Sequence, residues 1–289
     1  MVNHQAKKFR KLLSENEFLT LPGVYDCLSA KIAEESKFPA LFLSGGALAY
    51  SRIGRPDIGF LSLSDFADTI MHITSTVTIP LVADADAGFG NAIHSANTGK
   101  IYEQLGCAGL QIDDKVLPAL RPDKDEILDW NLVAPKIKAI RSAVSEEFVI
   151  IYRTCANLYG YGIEESITRI NAAKEAGADY AYVDGIKSTE ELHRVAKEAK
   201  IPLMVNLNEK GYVGGNIAPK DVAVLGFSIG LFPISSMLAA SEGMFKVLNE
   251  LAQSGSTLAV RSRMTDPPTK VHAMMGQFTL VEEFAPFYQ

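Results

Sequence analysis

The order of the chain predicts a (β/α)8 barrel, and three observations carry that prediction. Eight short apolar runs, at residues 18–24, 40–43, 79–83, 109–112, 148–152, 180–183, 202–205 and 228–232, are each followed by a helical pattern. Eight strand-then-helix units in about 240 residues is the arithmetic of this fold. The turns between helix and strand repeat one phrase: Leu105-Gly106-Cys107-Ala108 and Ala176-Gly177-Ala178-Asp179 each put a glycine where a helix must stop. Nearly every apolar run also ends in a polar or charged residue, at the strand end where such barrels keep their chemistry. An open doubly wound sheet is the alternative, disfavoured because no GxGxxG follows the first run. Without a linker or low-complexity stretch, residues 1–289 read as one domain, with a tail from about 254.

The elements follow in order. Residues 3–16 form an amphipathic leading helix with Phe9, Leu12 and Leu13 on one face, before the first strand at 18–24. Helical patterns then fall at 29–36, 65–75, 94–105, 132–145, 163–176, 189–200 and 219–225, and a long one at 236–253 closes the set. The run Ile79-Pro80-Leu81-Val82-Ala83, entered through a proline, reads as a buried parallel strand. Gly211 to Asn216 resembles a phosphate loop but lacks the following Lys-Ser/Thr, so it reads as a flexible connection. In the tail, Asp266-Pro267-Pro268 is a break, and Met274, Met275, Phe278 and Phe284 need a partner surface, plausibly another subunit.

Composition narrows the function. A net charge of −6, a pI near 5.5 and no Lys/Arg-rich run argue against nucleic acid as a partner. No apolar stretch approaches the roughly 18 residues that span a bilayer. The first ten residues carry Lys7, Lys8 and Arg10 without an apolar core, unlike a signal peptide. Three widely spaced cysteines fit neither a disulfide framework nor a zinc site, and point to a reducing cytoplasm.

Read only at the strand ends, the chain gives Asp26, Ser44, Asp84 with Asp86, Asp113 with Asp114, Arg153, Asp184, Asn206 with Asn208, and Ser235. Two carboxylates at spacing i, i+2 repel and are costly to bury without a cation nearby. Oxygen-only ligands suit Mg²⁺, with Mn²⁺ as an alternative, because it takes one or two carboxylates and keeps positions for water and substrate. An ion held by Asp84, directly or through water, with Asp86 and Asp113 behind it, would bind a 2-oxo or 2-hydroxy carboxylate through two oxygens. The backbone of Ser44-Gly45-Gly46 is a candidate cradle for the substrate carboxylate, since glycine lets the backbone approach closely. Arg153 can hold a carboxylate or phosphoryl group in its fork, and Asn206 can donate to a second carboxylate. Simpler roles stand beside these: Arg153 as a neutraliser of the acids, Asp184 as a turn cap, Cys155 as packing. None of the five histidines has metal-ligand spacing.

Taken together, Leu43-Ser44-Gly45-Gly46, Gly54-Arg55-Pro56-Asp57-Ile58-Gly59, the run from Asp84-Ala85-Asp86 through Gly88-Phe89-Gly90-Asn91, Asp113-Asp114-Lys115 and Arg153-Thr154 resemble the isocitrate lyase/phosphoenolpyruvate mutase superfamily. The resemblance implies a (β/α)8 barrel, Mg²⁺, a 2-oxo acid or its enolate, and dimers or tetramers in which the last helix swaps between subunits. It also implies Asp57, Asp84, Asp86 and Asp113 as the metal environment, with Asp57, Asp113 and Arg153 as catalytic residues. Asp113 stands where the family usually has Glu, and its shorter arm implies contact through water. Lyase branches such as methylisocitrate lyase carry a general-acid Cys on the loop after the fourth strand. Here that loop runs from Lys115 through Leu117-Pro118-Ala119 to Asp125 and has none. It looks most like the branch that decarboxylates oxaloacetate. The expected function is Mg²⁺-dependent decarboxylation or C–C cleavage of a small dicarboxylate. Two alternatives remain: phosphorus–carbon chemistry as in the phosphorylmutases or phosphonopyruvate hydrolase, and a non-catalytic barrel that binds a carboxylate.

Overall fold

The computed structural model describes residues 3–119, 126–265 and 270–288. Eight parallel strands close a barrel in sequence order: β1 (Leu19–Val24), β2 (Leu41–Leu43), β3 (Leu81–Asp84), β4 (Gly109–Asp113), β5 (Val149–Thr154), β6 (Tyr180–Val183), β7 (Leu203–Asn206) and β8 (Phe227–Phe232). β8 returns to β1, with Leu19 opposite Ile229 and Pro22 opposite Phe232. The predicted fold is the observed one.

Alternation along the strands builds two cores. Leu19, Leu21, Phe42, Val82, Val149, Ile151, Tyr182, Met204, Ile229 and Leu231 form one buried cluster that fills the barrel. Leu41, Leu43, Leu81, Leu110, Ile112, Ile150, Tyr152, Val183, Leu203 and Val205 have the opposite parity and belong to the larger cluster shared with the helices. α1 (His4–Glu15) closes the N-terminal end, where Phe9 joins the inner cluster and is fully buried. Arg10 fastens that helix, donating to Asp179 at 2.8 Å and to the carbonyls of Glu146 and Glu147 at 2.7 and 2.8 Å.

The outer ring is α2 (Cys27–Glu35), α4 (Leu63–Thr74), α5 (Ala92–Gln104), α6 (Trp130–Ala143), α7 (Ile163–Ala176), α8 (Thr189–Glu198) and α10 (Pro219–Val224). α2, α4, α5 and α6 each begin two residues before the apolar pattern predicts. The reason is capping: Asp26, Ser62, Asn91 and Asp129 accept hydrogen bonds from backbone N–H groups of the first turn, so the helix starts at the cap. Gly177 ends α7 in the left-handed conformation, as its place in the repeated turn phrase requires.

Three stretches differ from expectation. The turn after β2 is a helix, α3 (Gly45–Leu48), continued by a π-helical turn, Ala49–Ile53. The predicted flexible connection contains a short helix, α9 (Tyr212–Asn216). α11 (Ser235–Ser254) forms as predicted but buries none of its residues, leaving Met244, Phe245, Leu248 and Leu251 exposed. Beyond it, α12 (His272–Met274) and α13 (Gln277–Phe284) keep Phe278, Leu280, Val281 and Phe284 exposed. The predicted break at Asp266-Pro267-Pro268 and the loop residues 120–125 lie outside the described residues.

Candidate active site

Parity decides what reaches the C-terminal mouth. Val82, Ile151, Tyr182 and Met204 point into the barrel, so Asp84, Arg153, Asp184 and Asn206, two residues further on, line the rim above them. Asp113 lies opposite Arg153 in the β4–β5 register and completes the ring. The rim residues expected at the ends of β3 to β7 are therefore gathered at one end of the barrel.

Three of the carboxylates, Asp84, Asp86 and Asp113, are buried. Asp86 adopts a left-handed backbone (φ 43°), and its N–H donates to Asp84 Oδ1 at 3.1 Å. Its carbonyl accepts from the Asp113 N–H at 2.9 Å, which joins the ends of β3 and β4. Gln111 Nε2 also donates to Asp84 Oδ1, at 3.3 Å, and Tyr102 Oη to the Asp84 carbonyl, at 2.9 Å. Burial is the main cause that pushes Asp84 up to about 6, opposed by Lys115 and Arg153. Burial, then the charge of Asp84, holds Asp86 well above the usual carboxylate range.

Lys115 is the cation of this cluster. Its Nζ stands 2.9 Å from Asp113 Oδ2 and 3.8 Å from Asp86 Oδ1. Burial works against its charge, but the neighbouring acids, Asp113 first, outweigh it and raise its pKa. Arg153 is already committed, ion-paired with Asp184 and lying over the Tyr182 ring at 5.7 Å. With all three ionised, these buried carboxylates share the buried ammonium of Lys115, a formal excess of two negative charges. Among the described residues no group of three or more acidic, imidazole or thiol side chains is arranged so that it could hold a metal ion by itself. All the donors are oxygens and the charge deficit is two. That fits a hard divalent ion held by few protein ligands and completed by water.

The Ser44-Gly45-Gly46 turn abuts this cluster. A Cβ on Gly45 would stand 2.8 Å from Asp84 Oδ2, and one on Gly46 would stand 3.0 Å from Asp57 Oδ2. Close approach, not turn geometry, constrains these glycines, and strictly so only Gly45, beside buried Asp84. Ser44 Oγ accepts from the Ala47 N–H at 3.3 Å, so its hydroxyl caps α3. Asp57 differs from the other acids in being exposed at the rim.

Arg153 and Asn206 share a separate cavity of about 630 Å³ with Asp184, Lys187, Lys210 and Tyr212. Arg153 Nε is buried and has no acceptor among the described residues, which leaves a donor for a ligand. Lys115 lines a second cavity, about 710 Å³, together with Phe89, His94, Leu117 and Lys136.

Several strand-end residues have other work. Asp26 caps α2, Ser235 donates to Glu209, and Asn208 accepts from the Lys210 N–H at 3.0 Å. Cys155 is buried and its thiol is held protonated, by burial first, which makes it packing. Sequence reasoning left two contributors unassigned. Lys115 was legible, because spacing i, i+2 from Asp113 puts it on the same face. Lys136, buried on α6 and donating to the Ala87 carbonyl at 2.8 Å, carries no such signal.

A parallel barrel with acids and an arginine gathered at its C-terminal mouth defines an α/β-barrel enzyme. A family model described as phosphoenolpyruvate phosphomutase matches residues 9–251, and the chain belongs to that family, within the isocitrate lyase/phosphoenolpyruvate mutase superfamily. 2,3-Dimethylmalate lyase of Eubacterium barkeri is 30% identical over 262 residues, covering 90% of each protein. The solved structure of oxaloacetate acetylhydrolase with 3,3-difluorooxalacetate superposes with a TM-score of 0.90 at 29% identity, covering 98% of this chain and 97% of that one. Phosphonopyruvate hydrolase, solved with oxalate and Mg²⁺, superposes with a TM-score of 0.89 at 26% identity over 100% of both chains.

Proposed function

We propose that the protein is a Mg²⁺-dependent lyase that decarboxylates or cleaves a small 2-oxo or 2-hydroxy dicarboxylate of the oxaloacetate type through an enolate. The observation that carries this reading is the excess of two negative charges among Asp84, Asp86, Asp113 and Lys115. Asp84 would hold the ion directly, with Asp86 and Asp113 acting through water. When bound, the ion serves as a Lewis acid that draws electrons toward the 2-oxo oxygen as the C–C bond breaks. Backbone N–H groups at the start of α3 receive the adjacent carboxylate. The free Nε–H of Arg153 and the amide of Asn206 hold the distal one. Asp57, exposed beside Gly46, would pass a proton between solvent and the enolate carbon.

Two relatives support the class of substrate: one was solved with 3,3-difluorooxalacetate, the other with oxalate and Mg²⁺. A second reading, phosphorus–carbon chemistry, is favoured by Lys187 and Lys210 beside Arg153, a wall that would suit a phosphoryl group. As to assembly, one domain with a C-terminal tail would form homodimers or homotetramers by exchanging α11. An apolar groove of about 660 Å³, lined by Leu28, Ile32, Phe38, Phe232, Ala239 and Ala240, lies beside that helix to receive a second copy's. Three free cysteines agree with a cytoplasmic location, and no helix among the described residues is long and apolar enough to cross a membrane.

The test is pyruvate release from oxaloacetate with Mg²⁺, with and without EDTA, beside Asp84→Ala. Metal-dependent turnover lost in the variant supports the lyase reading. Turnover of phosphonopyruvate instead would move the assignment to the second reading.

A further inference from the structure

Asp114 lies between two mouth residues in sequence, Asp113 and Lys115, yet it has the opposite parity and points into the layer between barrel and helices. There its carboxylate, fully buried, accepts four hydrogen bonds. Tyr152 Oη and Thr154 Oγ1 each donate at 2.8 Å to Oδ2, and the Cys155 N–H donates at 2.8 Å to Oδ1. Arg169 Nη1, from α7, reaches Oδ2 at 3.2 Å. Residues 152, 154 and 155 straddle Arg153, and Arg153 lies directly across the β4–β5 ladder from Asp113. One carboxylate therefore grips the chain on both sides of the mouth arginine, from the residue next to a mouth acid.

The grip extends further. Arg169 Nη1 also donates to the Leu128 carbonyl at 2.9 Å, its Nε to Glu165 at 2.6 Å, and the Leu128 N–H returns to the Asp114 carbonyl at 2.7 Å. Of the four bonds to Asp114, Oδ2 takes three and Oδ1 the fourth, so the carboxylate is held from both oxygens by the protein itself. It lines neither cavity, so it does not meet the substrate. An apolar residue would fill such a layer without the penalty of burying charge. What the charged group adds is directional: four bonds of fixed geometry set where β5 ends relative to β4.

We propose that Asp114, with Arg169, is a positioning residue that fixes the separation between Asp113 and Arg153, and so between the metal side and the carboxylate side of the bound substrate. The assignment of those two sides rests on the lyase reading above; the clamp itself rests on the hydrogen bonds.

The experiment compares wild type with Asp114→Asn, Thr154→Val and Thr154→Ser. An asparagine keeps the shape but turns one acceptor into a donor facing donors. Mg²⁺ binding is measured by calorimetry alone, then oxalate binding in the presence of Mg²⁺, and hydrogen exchange is followed across the barrel. Asp114→Asn is expected to weaken oxalate binding about thirtyfold and kcat to a similar degree, in the range seen when a group that orients a ligand is removed. Mg²⁺ affinity without oxalate should stay within about threefold, since Asp84 is on β3, outside the clamp; that figure is the usual context scatter of such contributions. Exchange should quicken at 113–115 and 152–155 while β1, β2, β7 and β8 keep their protection. Thr154→Val should show the same effects in smaller degree, and Thr154→Ser should restore them. A variant that melts earlier but binds oxalate and turns over as wild type does, with exchange raised evenly, would overturn the proposal. Should wild type neither turn over oxaloacetate nor bind oxalate, the lyase reading falls, and the exchange pattern alone decides the clamp: local quickening upholds it, uniform quickening sinks it.

Discussion

The mouth at the ends of β3 to β5 and the helix α11 are opposite solutions to incomplete burial. At the mouth Asp84, Asp86, Asp113 and Lys115 are all buried and their charges do not balance. Along α11 none of twenty residues is buried, and Met244, Phe245, Leu248 and Leu251 face outward. On the reading proposed above, each region is completed from outside the chain, by a different kind of partner. Buried charge is relieved by opposite charge, which is compact and supplied as an ion. Exposed apolar area is relieved by more apolar area, which only another surface supplies.

Placing charge on α11 is expected to have the largest effect. Under the proposed exchange of α11 between copies, Phe245→Asp with Leu248→Asp should give monomers where wild type gives dimers or tetramers in sedimentation; a variant that sediments as wild type does would remove α11 from that proposal. Next, Asp84→Ala should lower metal-dependent turnover by roughly a thousandfold, as removal of a principal source of transition-state stabilisation does. It should leave sedimentation unchanged, which separates the two regions.

Gly45→Ala and Gly46→Ala sharpen the mouth itself. The added methyl at 45 meets buried Asp84 at 2.8 Å and Phe66 at 3.2 Å, whereas at 46 it meets exposed Asp57 at 3.0 Å, which can move away. A displacement near 1 Å can cost about a hundredfold in kcat/KM, expected for Gly45→Ala, with a much smaller loss for Gly46→Ala. Equal losses would mean that the turn acts as one unit.

The smallest effect is on pH dependence of the metal-free protein. Burial raises Asp84 to about 6 from 3.8, so between those values the folded state binds more protons than the unfolded one. Stability from this group is therefore present at low pH and lost as pH rises from 3.8 through about 6, on the order of 3 kcal/mol. Melting curves of wild type and Asp84→Asn from pH 4 to 7 isolate it as their difference. Added Mg²⁺ should reverse the loss. A difference that grows in wild type's favour with rising pH would show that Asp84 is already compensated.

Much of this was legible in the chain. Reading the strand ends placed Asp84, Arg153, Asp184 and Asn206 at the mouth, and period-two alternation above Val82, Ile151, Tyr182 and Met204 is the physical reason it worked. The glycine-bearing turns set the register of strand and helix. Helix starts came out two residues late because a cap is a hydrogen bond from a polar residue before the apolar pattern begins, as at Asp26 and Ser62.

The sequence by itself determined the barrel, its direction and the residues that rise at its mouth, since each follows from a repeat of two or of about 3.6 residues within one segment. Only the tertiary structure decided how those residues are held. Lys136 reaches Ala87 across 49 positions and Arg169 reaches Asp114 across 55. It also turned Ser44 into the cap of a helix and left Asp57 in solvent. Such partners meet because helices pack on strands at a particular rotation and depth, and no local period records that.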